Sequence, residues 1–176
     1  VSTPALEFGL RLDNPLPAER PLIRLFEYLL INGKSSRLYK LLVSRERTAL
    51  YLSGNLEARR GFISLKIFLL ANNQIMINRS KKMISDELNK FKLELVSERE
   101  LLKAKNKYRY DFLSQLTTTN LARALTLSEF YFERGQLPDL NEKLATIDKI
   151  TPSSILAMAR KYLQEAKYCF VTILPR

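Results

Sequence analysis

The residue types in this chain restrict the catalysis that it could perform. There is no histidine among its 176 residues and a single cysteine, Cys169. Hydrolytic zinc sites usually include an imidazole, and most general-base schemes at neutral pH depend on one, so the chain by itself is not expected to be a zinc hydrolase. Cys169 lies in the apolar run from Tyr168 to Leu174, which predicts a buried, inert thiol. A serine–lysine or threonine mechanism stays open, but no serine is distinguished by its neighbours.

The strongly basic composition indicates which classes of binding partner are to be considered. The net charge is +11, from 29 basic and 18 acidic residues, which is typical of proteins that bind nucleic acid, an anionic surface or acidic substrates. The basic residues are spread along the predicted helices, and no phosphate loop, RNA-binding signature or zinc-finger spacing is present, which favours a solvated basic face over nucleic-acid binding. The amides around Ser35 and Ser36 could bind an anion, but helix capping alone explains these residues and is the favoured interpretation.

The elements that must position these residues follow from hydrophobic periodicity. Strand-like alternation in four segments predicts β-strands, of which the second and third form a hairpin: 5–12, 49–56, 62–70 and 167–174. Helical spacing and capping signals, such as Ser97 with Glu100 and Thr151 before Pro152, predict helices at about 22–31, 35–45 (capped by Ser35), 73–95, 98–114, 120–134, 140–145 and 152–163. The chain is therefore predicted to be α+β, with a mixed, mainly antiparallel sheet and helices on one face.

The organisation along the chain is simple. No linker, internal repeat or low-complexity segment divides it, so residues 1–176 are predicted to form a single domain. No apolar run approaches the length of a membrane span, about 18 residues, and none is predicted. Because the sequence begins at Val1 without an initiator methionine, we expect it to be an excised domain or a processed product.

Two segments resemble the pitrilysin and mitochondrial processing peptidase family. The run from Leu29 to Leu42 is similar to the family's leucine-Gly-Gly-x-x-Ser-Arg-Leu-Tyr stretch, and Arg45 to Tyr51 is similar to its Arg-Glu-x-Gly-Leu-Ala-Tyr segment, with Thr48 in place of the glycine. The order of elements also fits the second of the two similar α+β domains that build each half of such a peptidase. The resemblance covers nearly the whole chain.

The resemblance implies a specific role for two residues. In active relatives the first domain carries the zinc motif His-x-x-Glu-His, which this chain lacks. The second domain contributes an arginine and a tyrosine that reach a zinc site on a partner domain or subunit, and Arg45 and Tyr51 match them. Both side chains can donate hydrogen bonds to a carbonyl oxygen that gains negative charge. From residue types alone, Arg45 also suits a helix C-terminus and Tyr51 suits any strand, so both interpretations stay open.

The resemblance also implies the partners. We expect no metal or cofactor in this chain, zinc on a partner domain or catalytic subunit of the same family, and a peptide substrate. The parent protein is either a zinc peptidase or a metal-free paralogue that pairs with one, as a homo- or hetero-oligomer. The compartment stays open between bacterial periplasm and cytoplasm. The alternative is a non-catalytic structural or interaction module that binds anionic partners through its basic surface.

Overall fold

The sheet is antiparallel throughout the part of the chain that the structure describes. This computed structural model describes residues 3–59, 61–134 and 139–175, with 129, 130, 132–134 and 140–143 described by their backbone only. Its strands are β1 (Ala5–Asp13), β2 (Tyr51–Arg59), β3 (Phe62–Leu70) and β4 (Tyr168–Ile173), in the order β2-β3-β1-β4. The prediction of a mainly antiparallel sheet is confirmed. The sheet is not mixed within the described residues, because β1 pairs antiparallel with both β3 and β4, and β2 pairs antiparallel with β3.

The helices follow the predicted order, with boundaries shifted by a few residues. They are α1 (Arg20–Leu30), a π-helix (Tyr39–Arg45), α2 (Gln74–Leu93), α3 (Glu98–Thr117), α4 (Asn120–Arg134), α5 (Leu140–Asp148) and α6 (Pro152–Tyr162). Two predicted N-caps are confirmed: Ser97 Oγ accepts the Glu100 N–H at 3.2 Å, and Thr151 Oγ1 accepts the Ser154 N–H at 3.2 Å. Each cap satisfies a backbone donor that the first helical turn leaves unpaired.

Helices cover one face of the sheet, as the sequence predicts. The alternate side chains of the two central strands are buried beneath them: Leu6, Phe8, Leu10 and Leu12 of β1, and Ile63, Leu65, Ile67 and Leu69 of β3. Phe26 of α1 meets Phe91 of α2 edge to face, with ring centroids 4.9 Å apart, over this layer. Burial of each large apolar side chain contributes about 1.5–3 kcal/mol, so this face dominates the stability of the fold.

Three local predictions are wrong, each for a physical reason. Ser35 does not cap the second helix, because helical residues begin at Arg37 and the Ser36 hydroxyl donates to the Gly33 carbonyl at 2.7 Å. The spacing of apolar residues in 73–95 predicts that Ile75 is buried, whereas it is exposed in the first turn of α2. Cys169 is exposed rather than buried, because it lies opposite Gly9 on the open face of the edge strand β4. Within the described residues, no helix combines the length and apolar character needed to cross a membrane.

Candidate functional site

The connection that carries Arg45 and Tyr51 is fixed to both the helical layer and the sheet. The Glu46 N–H donates to the Leu41 carbonyl at 2.9 Å, which ends the π-helix. The Ala49 N–H donates to Leu42 at 3.1 Å, and the Leu50 N–H donates to Leu70 of β3 at 2.8 Å. The two candidate residues therefore stand at the ends of a short segment whose backbone is held on both sides.

The turn in this connection does not depend on a glycine. Arg47 adopts the left-handed conformation, with φ of 51°, whereas Thr48 does not have a positive φ. Thr48 is buried, and its hydroxyl has no hydrogen-bond partner among the described residues. Thr48, which stands at the family's glycine position, fits here because the residue with the positive φ is Arg47, one position earlier.

Arg45 and Tyr51 are both available to solvent. The Arg45 side chain is 78% exposed, and its Nε lies 3.0 Å from Glu46 Oε1, an exposed pair of the kind that contributes little to stability. Tyr51 is 51% exposed and packs edge-on against Phe68, with ring centroids 6.4 Å apart. Its hydroxyl makes no hydrogen bond within the described part of the chain. Each side chain therefore has donors that a second molecule or domain can reach.

The structure brings the two residues to the same end of β2 without joining them. Arg45 closes the π-helix and Tyr51 is the first residue of β2. In the described ranges, no hydrogen bond, ion pair or ring contact links their side chains, so neither residue holds the other in place.

The strand that begins at Tyr51 lies at the edge of the sheet and beside a large cavity. β2 pairs only with β3 in the described structure, so its outer edge offers unpaired backbone groups. A cavity of about 660 Å³ lies between β2 and the helices α1 and α3. Its walls include Leu56 and Ala58 of β2, Arg20, Arg24 and Tyr28 of α1, and Tyr108 and Asp111 of α3. Sequence reasoning missed this site, because separate segments form its walls.

Tyr28 and Arg24 in this cavity are paired with carboxylates of its own walls. The Tyr28 hydroxyl donates to Asp111 Oδ2 at 2.9 Å, and Lys107 Nζ lies 3.0 Å from the same oxygen. Burial and the hydrogen bond to Asp111 raise the pKa of Tyr28 well above its usual value, so the phenol keeps its proton. Burial opposes the charge of Arg24, but the Glu27 carboxylate 2.8 Å away raises the pKa of Arg24 overall. The cavity is thus suited to binding polar groups.

The described residues offer no metal centre. Among them, no group of three or more histidine, cysteine, aspartate or glutamate side chains is arranged to hold a metal ion. Arg45 and Tyr51 are not metal ligands of the usual types, because both present hydrogen-bond donors at neutral pH.

Comparison with solved structures shows the fold. A protease from Helicobacter pylori superposes with a TM-score of 0.86 at 22% identity over 99% of this chain and 42% of that chain. The inactive domain of an M16 peptidase from Pseudomonas fluorescens gives 0.82 at 17% identity, over 98% and 41% of the two chains. The inactive peptidase domain of a Bordetella parapertussis protein assigned as a zinc protease gives 0.82 at 16% identity, over 100% and 92%.

The share of each solved chain that superposes on this one differs among the three proteins. This chain spans about two fifths of the length of the first two of these proteins and nearly all of the third. No protein-family model and no curated protein matches the sequence. The chain has the fold of a pitrilysin-type (M16) peptidase domain, as its two sequence motifs predict.

Proposed function

We propose that this chain is the non-metal-binding domain of a pitrilysin-like zinc peptidase and that it presents Arg45 and Tyr51 to a zinc site on another domain or subunit. The observation that carries the proposal is their placement: both side chains are exposed at the start of the edge strand β2, on a backbone held by three hydrogen bonds. The similarity to domains described as inactive in M16 proteins supports a role without metal binding.

The chemistry of the two side chains suits the stabilisation of an oxyanion. The zinc ion of the partner would supply a water activated for attack on the scissile carbonyl. As that carbonyl oxygen gains charge, the Arg45 guanidinium and the Tyr51 hydroxyl can each donate a hydrogen bond to it. A single donor of this kind contributes about 2.7–4 kcal/mol to transition-state binding in other oxyanion holes.

The edge of β2 provides a surface for the peptide. An extended peptide that pairs with β2 would satisfy the unpaired backbone groups of the strand, and main-chain hydrogen bonds of this kind tolerate many sequences. Alternate side chains of the peptide would then face the cavity beside Leu56 and Ala58. The walls of this cavity carry both arginines and carboxylates, Arg20, Arg24, Glu27 and Asp111, which favour polar side chains there.

Peptide hydrolysis by the full-length parent protein, alone and mixed with its partner subunit, tests this proposal. Arg45→Ala and Tyr51→Phe are expected to lower kcat/KM by about 10²-fold or more each, because each removes a donor to the transition state. The matched controls are Arg11→Ala, which removes an exposed arginine paired with Asp13, and Tyr110→Phe, which alters an exposed tyrosine of α3.

The turnover and melting temperature of the four variants are compared with those of the unaltered protein. Both controls should retain the turnover of the unaltered protein, and all four variants should keep its melting temperature. If the Arg45 and Tyr51 variants hydrolyse the peptide as fast as the controls, these residues have no part in catalysis and the domain acts as a scaffold.

A further inference from the structure

We propose that a second cavity, separate from the Arg45–Tyr51 surface, binds a small phosphate-type anion. This cavity has a volume of about 450 Å³ and lies between the end of α1, the start of the π-helix and the first half of α3. Its charged lining consists of four cations, Lys40, Arg99, Lys103 and Lys107, and one carboxylate, Glu100. Neither Arg45 nor Tyr51 lines it, so the inference does not depend on the proposed peptidase role.

The single carboxylate in the lining is already neutralised. Arg37 donates from Nε and from its terminal nitrogen to the two oxygens of Glu100, at 2.7 and 2.8 Å. This bidentate geometry is the strongest that an arginine and a carboxylate form. Glu100 therefore does not compensate the lysines and the arginine around the cavity.

Three of the four cations in the lining have no carboxylate partner among the described residues. Lys107 forms an ion pair with Asp111 at 3.0 Å. Lys40, Arg99 and Lys103 have no ion pair with a carboxylate anywhere in the described residues. Three positively charged side chains thus line this cavity without an acidic partner, and a bound anion would supply the missing negative charge.

The position of these cations on α3 is unfavourable without a ligand. Arg99, Lys103 and Lys107 are spaced at intervals of four residues, so they form a stripe of like charge along one side of the helix. The stripe begins at Arg99 in the first turn of a 20-residue helix, where the macrodipole disfavours positive charge and Glu98 and Glu100 offset part of that effect. A bound anion reverses both effects, because it is attracted by the stripe and by the helix N-terminus.

The chemistry of the walls favours a compact oxyanion. Lys40 projects from the π-helix side and faces the stripe of α3 across the cavity. The hydroxyls of Ser35 and Ser97 also line it and can donate hydrogen bonds. Ammonium and guanidinium groups together with hydroxyls suit a phosphate or pyrophosphate group, and the volume lies within the range of small-ligand pockets.

Isothermal titration with pyrophosphate at low ionic strength tests this inference on the full-length protein that contains the chain. The site variant combines Lys40→Glu with Lys103→Glu. The matched control combines Lys82→Glu with Lys149→Glu, two exposed lysines outside the cavity, and changes the net charge by the same amount. Lys40→Gln with Lys103→Gln serves as a second site variant without charge reversal.

We expect the unaltered protein and the control to bind pyrophosphate with similar affinity. The reversed site variant should bind about tenfold more weakly or worse, and the Gln variant should show a smaller loss, because direct charge contacts are removed. Added salt should weaken binding by screening. Absence of binding to the unaltered protein, or equal losses in the site variant and the control, would overturn the inference.

Discussion

Arg37, two residues before the π-helix, contacts side chains of both α2 and α3. It forms two hydrogen bonds with Glu100 of α3, lies 3.2 Å from Glu87 of α2, and stacks 4.2 Å above the ring of Phe91. Burial opposes its charge, but the two carboxylates raise the pKa of Arg37 overall, so it stays ionised. The Glu87 side chain is only 8% exposed and forms ion pairs with this arginine and with Lys90.

Replacement of Arg37 should therefore destabilise the fold far more than replacement of the exposed Arg45. We expect Arg37→Ala to lower the free energy of unfolding by about 3 kcal/mol, because it leaves a nearly buried carboxylate with weaker compensation. Arg37→Lys should retain part of that stability without the bidentate geometry. Urea denaturation with Arg45→Ala as the control measures the difference. Equal losses for Arg37→Ala and Arg45→Ala would contradict this account of the cluster.

Glu19 makes the stability of the fold dependent on pH. Its carboxylate accepts hydrogen bonds from the Lys161 ammonium and the Tyr162 hydroxyl, both at 2.6 Å, and from the Leu16 N–H at 2.9 Å. Burial on its own would raise the pKa of Glu19, but these hydrogen bonds lower it below the usual 4.5. The contribution is therefore present above the unfolded-state pKa and is lost as the pH falls through the lower folded-state pKa.

Glu19→Gln should make the acid denaturation of the protein less steep. Thermal melting measured from pH 7 down to about pH 3 should show a fall in Tm below pH 4.5 for the unaltered protein and a smaller fall for the variant. Asp13, whose pKa is lowered by hydrogen bonds from Lys167 and Arg11, accounts for part of the remaining fall. If Tm falls equally with pH in the two proteins, the contacts of Glu19 do not make the stability of the fold depend on pH.

At the scale of elements, β2 approaches the helical layer closely at Gly54. A Cβ at this position would lie 2.7 Å from Ile31 Cγ1 and 2.9 Å from the Lys66 carbonyl oxygen. We expect Gly54→Ala to destabilise the domain by about 1–3 kcal/mol, because either the strand or the end of α1 must move. The control is Gly9→Ala on β1, where a Cβ would meet no atom within 4 Å.

Chemical denaturation of the two alanine variants separates packing from strand propensity. Both replace a glycine inside a β-strand, a change that by itself is neutral or stabilising. A loss of stability in Gly54→Ala alone locates the effect in the close contacts with Ile31 and the Lys66 carbonyl. If Gly9→Ala loses as much stability, the close approach at Gly54 is not the cause.

The order of the elements could be predicted from the sequence, because it depends on local signals. Alternation along β3 gave its boundaries, 62–70, and the Ser97 and Thr151 caps gave the starts of two helices. The exposure of Cys169 could not be predicted, because it depends on β4 being an edge strand, which only the pairing reveals. Likewise, Glu100 was predicted to complete a capping box, but its carboxylate binds Arg37, a residue 63 positions away.

The candidate site was predictable only in part. Arg45 and Tyr51 were identified through motifs, and their exposure is a finding of the structure. The two cavities could not be predicted, because residues distant in sequence form their walls, as Leu56 of β2 and Tyr108 of α3 do in the first cavity. The left-handed backbone at Arg47 was also not predicted, since the motif pointed to the neighbouring position 48.

At the scale of the whole molecule, the chain has the fold of an M16 peptidase domain, and its described residues include no group of side chains arranged to hold a metal ion. Its open connection at the start of β2, its free strand edge and its basic cavity all lie on elements built around the same sheet and helical layer. The peptidase domains that it resembles in fold are mostly parts of chains more than twice its length. We therefore expect peptide turnover only when this chain is combined with a zinc-binding partner.

The most direct test of the central claim separates catalysis from peptide binding in Tyr51→Phe. In the full-length protein with its partner, kcat for peptide hydrolysis and the equilibrium Kd of the same peptide are measured for this variant and for Tyr110→Phe. We predict that kcat falls by about 10²-fold in Tyr51→Phe while Kd changes by less than about twofold, because the hydroxyl acts in the transition state. An unchanged kcat, or a loss that resides entirely in Kd, would contradict the account.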